Sequence, residues 1–339
     1  MIRHSPQTHV SRLRRSRRLA GVLLIAVGVL ALVGTALLFV QVIPDPAPGF
    51  LERKGTLADV RETFAGVLGD TTLHELTLTA SSGLQVDLSV RVPRPVTGPQ
   101  PLVLLLGGKR TGRDAVRLAP DTRGVALAAL SYPHFGAADT NGASDGLALL
   151  LNLRQMQRAL IDTTPAVLLA LDYLLAQPYV DPRGVELVGV SLGAFLMSIP
   201  GALDVRAGRV WLVHGAGDPD GVLAHLLEQQ IAYAPLRRAV GRLLGALFCT
   251  HHLRPERWVG QISPRPVIII NARGDEAFPL ASIEALHRAA REPVEIIWTS
   301  GPHIMPGREQ VVEQLAQLVL ARVRADHNAR VRGGRDGGK

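Results

Sequence analysis

The chain has 339 residues, 47% of them hydrophobic, enough to build one sheet covered on both faces with segments to spare. Its formal net charge of +8 sits at the ends: residues 1–18 and 322–339 together contribute +10 and leave −2 on everything between. A central region near neutrality excludes nucleic acid as a partner on charge grounds, and a single cysteine, Cys249, excludes an intramolecular disulfide.

In chain order, residues 1–18 are a basic N-terminus with six arginines and no acid. Residues 19–43 form an uncharged, almost wholly apolar run with no polar face, and about 20 such residues span a bilayer. The arginine flank predicts a transmembrane signal-anchor with the N-terminus in the cytoplasm and the remaining chain on the periplasmic or extracytoplasmic side. A cleaved signal peptide is the alternative, but the run exceeds the usual ~7–15-residue apolar core and no Ala-x-Ala closes it. Ser16-Arg17-Arg18 is a faint twin-arginine pattern that also implies export. Residues 44–72 read as a linker, stiffened by Asp45-Pro46-Ala47-Pro48-Gly49, with a short helix over 57–68.

Residues 73–79 and 84–92 alternate on a period of two around Ser81-Ser82-Gly83 and predict a hairpin. The apolar stretch 101–106 predicts a strand, followed by Gly107-Gly108-Lys109-Arg110-Thr111-Gly112. Glycines there let the backbone approach a ligand closely, and the order of Lys and Gly does not match a phosphate-binding loop. Residues 124–131 predict the next core strand. Helical spacing over 164–177, with Thr163 and Thr164 as caps and Pro165 in the first turn, precedes turn chemistry at 178–184 and a buried strand at 185–188. That strand runs into Gly189-Val190-Ser191-Leu192-Gly193. A strand turning sharply into a helix around a serine needs small neighbours, because the backbone doubles back and thrusts the side chain outward at the apex. Ser191 is therefore the candidate nucleophile; a mere helix cap is the plainer alternative.

A serine nucleophile needs a base, and the base needs a carboxylate to hold its tautomer. Downstream of Ser191 the sequence offers an acid and then a His, each just past a strand pattern. The strand pattern at 266–270 is followed by Asp275, placed on the same rim as the elbow. The earlier strand 210–213 offers a rival acid, Asp218. A last strand over 293–298 leads into a loop carrying His303, the candidate base, ahead of a helix over 308–323. His134 and His214 lie in rim loops and have weaker claims. His251 and His252 would point in different directions on a helix and, with Cys249, complete no zinc set; neither metal nor cofactor is expected. The expected oxyanion donors are the amides of Leu192 and Gly108, with Lys109 as substitute. Lys109 and Arg110 are either solvated loop charges or a grip on an anionic substrate group. Residues 218–262 exceed a normal connection and carry helical patterns at 223–230 and 236–247, which predicts a cap insertion. The Gly/Arg-rich stretch 326–339 has no apolar periodicity and reads as a disordered basic tail.

From about residue 73 to 323 the chain resembles a serine α/β-hydrolase of the dienelactone-hydrolase and acyl-esterase type. The resemblance is carried by Leu171-Asp172-Tyr173-Leu174-Leu175, Val180-Asp181-Pro182, the elbow, Asp275-Glu276-Ala277-Phe278-Pro279 and His303. It implies an α/β-hydrolase fold over 73–325: a mostly parallel central sheet with helices on both faces and a helical cap, here preceded by one transmembrane helix. It also implies Ser191, Asp275 and His303 as nucleophile, acid and base, and cleavage of a small-molecule ester through an acyl-enzyme. Two departures are visible. Many members have a His where this chain has Leu106, and dienelactone hydrolases proper have a cysteine where this chain has Ser191, so esterase chemistry is expected rather than action on dienelactones. Acyl-CoA thioesterases and bile-acid acyltransferases share a similar run, which keeps thioesters and acyl transfer as alternatives. A catalytically inactive binding protein would lose a triad member, and none is missing.

Overall fold

The computed structural model describes residues 44–336 except 97, 109–110, 120 and 135–151, together with Gly28, Ala31 and Gly34. Apart from those three residues, the expected span at 19–43 lies outside the described residues, as do Lys109 and Arg110. No described helix is long and apolar enough to cross a membrane. The chain divides into two units, Met1–Pro44 and Asp45–Lys339, and the second carries the architecture below.

Among the described residues, nine strands form one sheet in the order β1-β2-β3-β5-β4-β6-β7-β8-β9. The first three, β1 (Leu57–Leu68), β2 (Thr71–Ala80) and β3 (Gln85–Pro93), are antiparallel, and β3 pairs antiparallel with β5 (Ala126–Leu130). The rest are parallel: β5, β4 (Gln100–Leu106), β6 (Val180–Val190), β7 (Arg209–Val213), β8 (Val267–Ala272) and β9 (Val294–Thr299). β4, β5, β7, β8 and the second half of β6 are largely apolar because both faces are covered, whereas the edge strand β9 is buried at no position. The predicted hairpin is β2–β3, with Thr79 opposite Gln85.

Three expectations need correction. Residues 57–68 are not a helix but the edge strand β1. Leu57, Val60, Phe64 and Val67 fall at helical spacing, yet the tight turn at Gly69 (φ 60°) brings Val67 opposite Thr72, and β2 offers a free edge. Most of β1 is exposed, so no buried face imposed a period of two on its sequence.

The helix expected at 164–177 begins much earlier: α1 (Phe50–Lys54) is short, and α2 runs from Leu153 to Leu175 with Pro165 inside it. Thr163 does not cap it; its hydroxyl donates back to the Ala159 carbonyl at 2.6 Å. Every residue from 161 to 171 is buried, so packing carries the helix through the bond that Pro165 cannot make to Ile161.

The tail at 326–339 is helical as far as Asp336, the end of a C-terminal helix that starts at Glu309. Charge pairing anchors it: Asp326 Oδ2 accepts from Arg209 Nη1 at 2.8 Å, and Arg330 Nη1 donates to the Arg183 carbonyl at 3.0 Å. Residues 337–339 lie outside the described residues.

Between β6 and β7 lies α3 (Leu192–Leu203). Between β7 and β8 the cap region forms four helices: α4 (Pro219–Leu226), α5 (Ala234–Leu247), α6 (Thr250–Leu253) and α7 (Pro255–Trp258). Gln157 of α2 donates to the Leu247 carbonyl and ties the cap to the body. Then come α8 (Leu280–Ala289) and the C-terminal helix, here α9 (Glu309–Asp336).

Candidate active site

Ser191 sits where β6 ends and α3 begins, with φ 54° and ψ −115°. A non-glycine residue held there is strained, and that strain places the side chain at the apex of the turn. The flanking glycines are required by contact. A Cβ on Gly193 would lie 2.0 Å from the Leu106 carbonyl oxygen, and one on Gly189 would lie 2.5 Å from the Gly193 oxygen.

The structure brings three of the sequence candidates into one hydrogen-bonded line. Ser191 Oγ lies 2.8 Å from His303 Nε2, and His303 Nδ1 lies 2.8 Å from Asp275 Oδ2. Asp275 hangs on the loop after β8, and its other oxygen accepts the Ala277 and Phe278 amides at 2.9 and 3.0 Å. Its side chain is 1% exposed and that of His303 6%. Two amides on one oxygen leave the other aimed at the imidazole and fix the orientation of this buried side chain. Phe278 presses on that ring edge-on at 4.8 Å between centroids. Glu276 Oε2 accepts the His303 backbone N–H at 3.0 Å, and Arg308 bonds both the Glu276 carboxylate and the His303 carbonyl. Partial burial alone would raise the Glu276 carboxyl, but the bonds from His303 and Arg308 hold it below its usual range.

The rival acid is used otherwise. Asp218 adopts a left-handed conformation and caps α4 by accepting the Gly221 amide at 3.2 Å. His134 is paired with Asp162 at 2.7 Å. His251 and His252 are in ring contact at 3.8 Å between centroids, contrary to the expectation that they diverge.

The sequence reading missed Tyr132, and it named His214 only as a weaker rim-loop candidate without the part it plays. Tyr132 is buried and donates its hydroxyl to the Gly107 carbonyl at 2.6 Å; burial pushes its pKa upward, so it remains a donor. In a planar trans peptide the carbonyl of Gly107 and the N–H of Gly108 point in opposite directions. Fixing the one toward Tyr132 therefore turns the other away from it, and Gly108 lies against Ser191: a Cβ there would be 3.4 Å from Ser191 Cβ. Leu192, as the first residue of α3, has an N–H with no intrahelical acceptor. Both expected oxyanion amides thus adjoin the serine.

The second is His214, just beyond β7 and fully buried. Its Nδ1 accepts the Ile304 amide at 3.0 Å, and its ring lies 5.4 Å from that of His303. Ligand atoms of His214, Asp275 and His303 lie within 4.8 Å of one another, close enough for a metal ion. The His303 nitrogens, however, are turned to Asp275 and Ser191, and His214 Nδ1 is taken by Ile304. That donor set fits a proton relay better than a metal.

No protein-family model matches the chain. Over 150 residues it is 26% identical to the uncharacterized protein YfhR of Escherichia coli O157:H7, a match covering 44% of this chain and 47% of that protein. The chain thus spans about half the length of the curated relative it matches. Among solved structures it is similar to acetyl xylan esterase 1 from Thermoanaerobacterium sp. JW/SL YS485, with TM-score 0.58 and 15% identity over 81% of this chain and 93% of that one. It is also similar to an acetyl xylan esterase from Paenibacillus sp. R4, with TM-score 0.59 and 15% identity over 84% and 93%. A third is the α/β-hydrolase GrgF from Penicillium sp. sh18, with TM-score 0.53 and 16% identity over 79% and 100%. The chain has the α/β-hydrolase fold, with a mostly parallel sheet.

Proposed function

We propose that the protein is a serine hydrolase that cleaves a carboxylic ester through an acyl-enzyme, with Ser191, His303 and Asp275 as nucleophile, base and acid. The observation that carries this reading is the unbroken Ser191–His303–Asp275 line, 2.8 Å at each step. His303 Nε2 takes the Ser191 proton as Oγ bonds to the ester carbonyl carbon, and Asp275 stabilises the imidazolium. The carbonyl oxygen, now an oxyanion, receives the amides of Leu192 and Gly108. His303 then returns the proton to the departing alkoxide, and water enters by the reverse path to release the acid. The esterases among the structural neighbours support ester over thioester as the substrate. The test is fluorophosphonate labelling: the wild type labels at Ser191, while Ser191→Ala loses the label and roughly 10³-fold or more of its ester turnover. Labelling on another serine sinks the assignment.

The run at 19–43, its arginine flank and its lack of a polar face support a single-pass anchor with the hydrolase domain on the extracytoplasmic side. Protease added to intact spheroplasts should reach that domain, and the protein should stay with membranes after a high-salt wash. Protection of the domain reverses the orientation.

A further inference from the structure

The site opens into a cavity of about 770 Å³ whose described walls, Ser191, Thr111, Tyr132, Thr250 and His303 aside, are almost entirely apolar. Part of it is faced by the cap, through Leu223, Leu226, Leu244 and Phe248. The other part does not belong to the cap at all. It follows one face of the sheet through Val103, Leu105, Leu127 and Val188, and is lined along its other side by Leu315 and Val319 of α9.

Close-packed cores leave few voids larger than a water molecule, so an opening along the sheet needs a cause. The cause is the cover. Between β4 and β5 the described residues supply only a five-residue 3-10 helix, Arg113–Arg117. It is pinned from β3 by buried Arg91, whose guanidinium donates to Thr71 Oγ1 at 3.1 Å and to the Val116 and Ala119 carbonyls at 3.1 and 2.5 Å. Collapse onto the sheet would break those bonds. On the cavity face Leu105 and Val190, nearest the serine, are only partly buried, while Val103 and Val188 farther along it are 2% and 4% exposed; on the opposite face Leu104 and Leu187 are wholly buried.

Two independent lengths agree on its depth. From Gly107 beside the serine to Val103 is four residues of β4, about 13 Å at ~3.3 Å per residue. From Val312 to Leu320, both lining residues, is eight residues of α9, about 12 Å at ~1.5 Å per residue.

We infer that this sheet-face channel is an acyl-binding site and that the substrate is an ester of an unbranched fatty acid of medium length, a class the acetyl esterases do not suggest. The inference rests on the serine hydrolase reading above. The acyl group is the part that remains bonded to Ser191 after the alcohol departs, so an apolar channel that begins beside Ser191 suits it.

The test is a paired series of esters on the full chain: short alcohols with acids from acetate to laurate, and acetate esters with alcohols lengthened to match. Each rate is divided by the fraction of sites titrated with a fluorophosphonate. The expected result is a kcat/KM for the decanoate ester at least about tenfold above that for acetate, with no such rise along the alcohol series. Val319→Trp and Ala119→Phe, which enlarge two lining side chains on different elements, should each lower the decanoate-to-acetate ratio by about tenfold or more. A wild-type optimum at acetate, a rise along the alcohol series, or variants that keep the wild-type ratio would overturn the acyl channel. Failure of the wild type to label at Ser191 would instead overturn the hydrolase reading itself.

Discussion

His214 accepts the backbone N–H of Ile304 at 3.0 Å and so fixes the chain one residue past His303. An acceptor at Nδ1 puts the proton of the neutral ring on Nε2, which is buried and has no hydrogen-bond partner among the described residues. Burial, reinforced by the nearby His303 and opposed by Asp275 and Glu276, pushes its pKa down to about 4.

This depression makes stability depend on pH. Unfolded, the imidazole titrates near 6.5, so between about pH 4 and 6.5 the unfolded chain binds a proton that the folded chain does not. Stability contributed by keeping His214 neutral is therefore present above 6.5 and lost as pH falls toward 4, by about 3 kcal/mol in all. His214→Gln retains an acceptor for Ile304 and removes the titration. Urea midpoints measured from pH 4 to 7 should fall less steeply for this variant than for the wild type; parallel curves would assign the acid sensitivity to other groups.

The two acids should separate by readout. Asp275→Asn leaves His303 Nδ1 facing a group that no longer fixes its tautomer, and turnover should drop by roughly 10³–10⁴-fold with little change in folding. Asp218→Asn removes a charged cap from α4 and should cost about 1 kcal/mol or less of stability with turnover near wild type. Rates per titrated site, set beside melting temperatures, give the ranking, and the reverse ranking would move the acid to the strand before the cap.

Much of this arrangement was legible because parallel core strands are continuous apolar runs whose C-terminal ends share one rim. Ser191 and Asp275 each follow such a run and His303 follows the edge strand β9 on the same rim, and their chain order with the family resemblance grouped them. Legibility ended where partners are remote or burial overrides local pattern. β1 is exposed and borrows its conformation from β2, so its own spacing pointed to a helix. The start of α2 was hidden by Thr163-Thr164-Pro165, which imitate a helix entrance while sitting in a buried helical turn. The end of α9 depends on Arg209, 117 residues away in the chain. Tyr132 and His214 act through the backbone of Gly107 and Ile304, 25 and 90 residues distant, and no motif marks a side chain whose partner is a peptide group. The one available signal was position: both stand just beyond the C-terminal ends of core strands, on the rim that carries the serine.

Tyr132 tests the oxyanion geometry without touching the triad. Its hydroxyl holds the Gly107 carbonyl at 2.6 Å, and the rigid peptide carries that constraint to the Gly108 N–H on the opposite side. Tyr132→Phe leaves the ring to pack and frees the peptide to rotate. A complete loss of one oxyanion donor costs roughly 10²–10³-fold in kcat; a donor that is present but unfixed should cost less, about tenfold, with KM nearly unchanged because the amide acts on the transition state. The unpaired carbonyl should also lower stability by about 1–3 kcal/mol. The decisive measurement is kcat per fluorophosphonate-titrated site at a temperature well below the variant's melting point. A tenfold loss there places Tyr132 among the residues that position the oxyanion amide, whereas a wild-type value with only a lowered melting temperature would reduce it to a support for the loop.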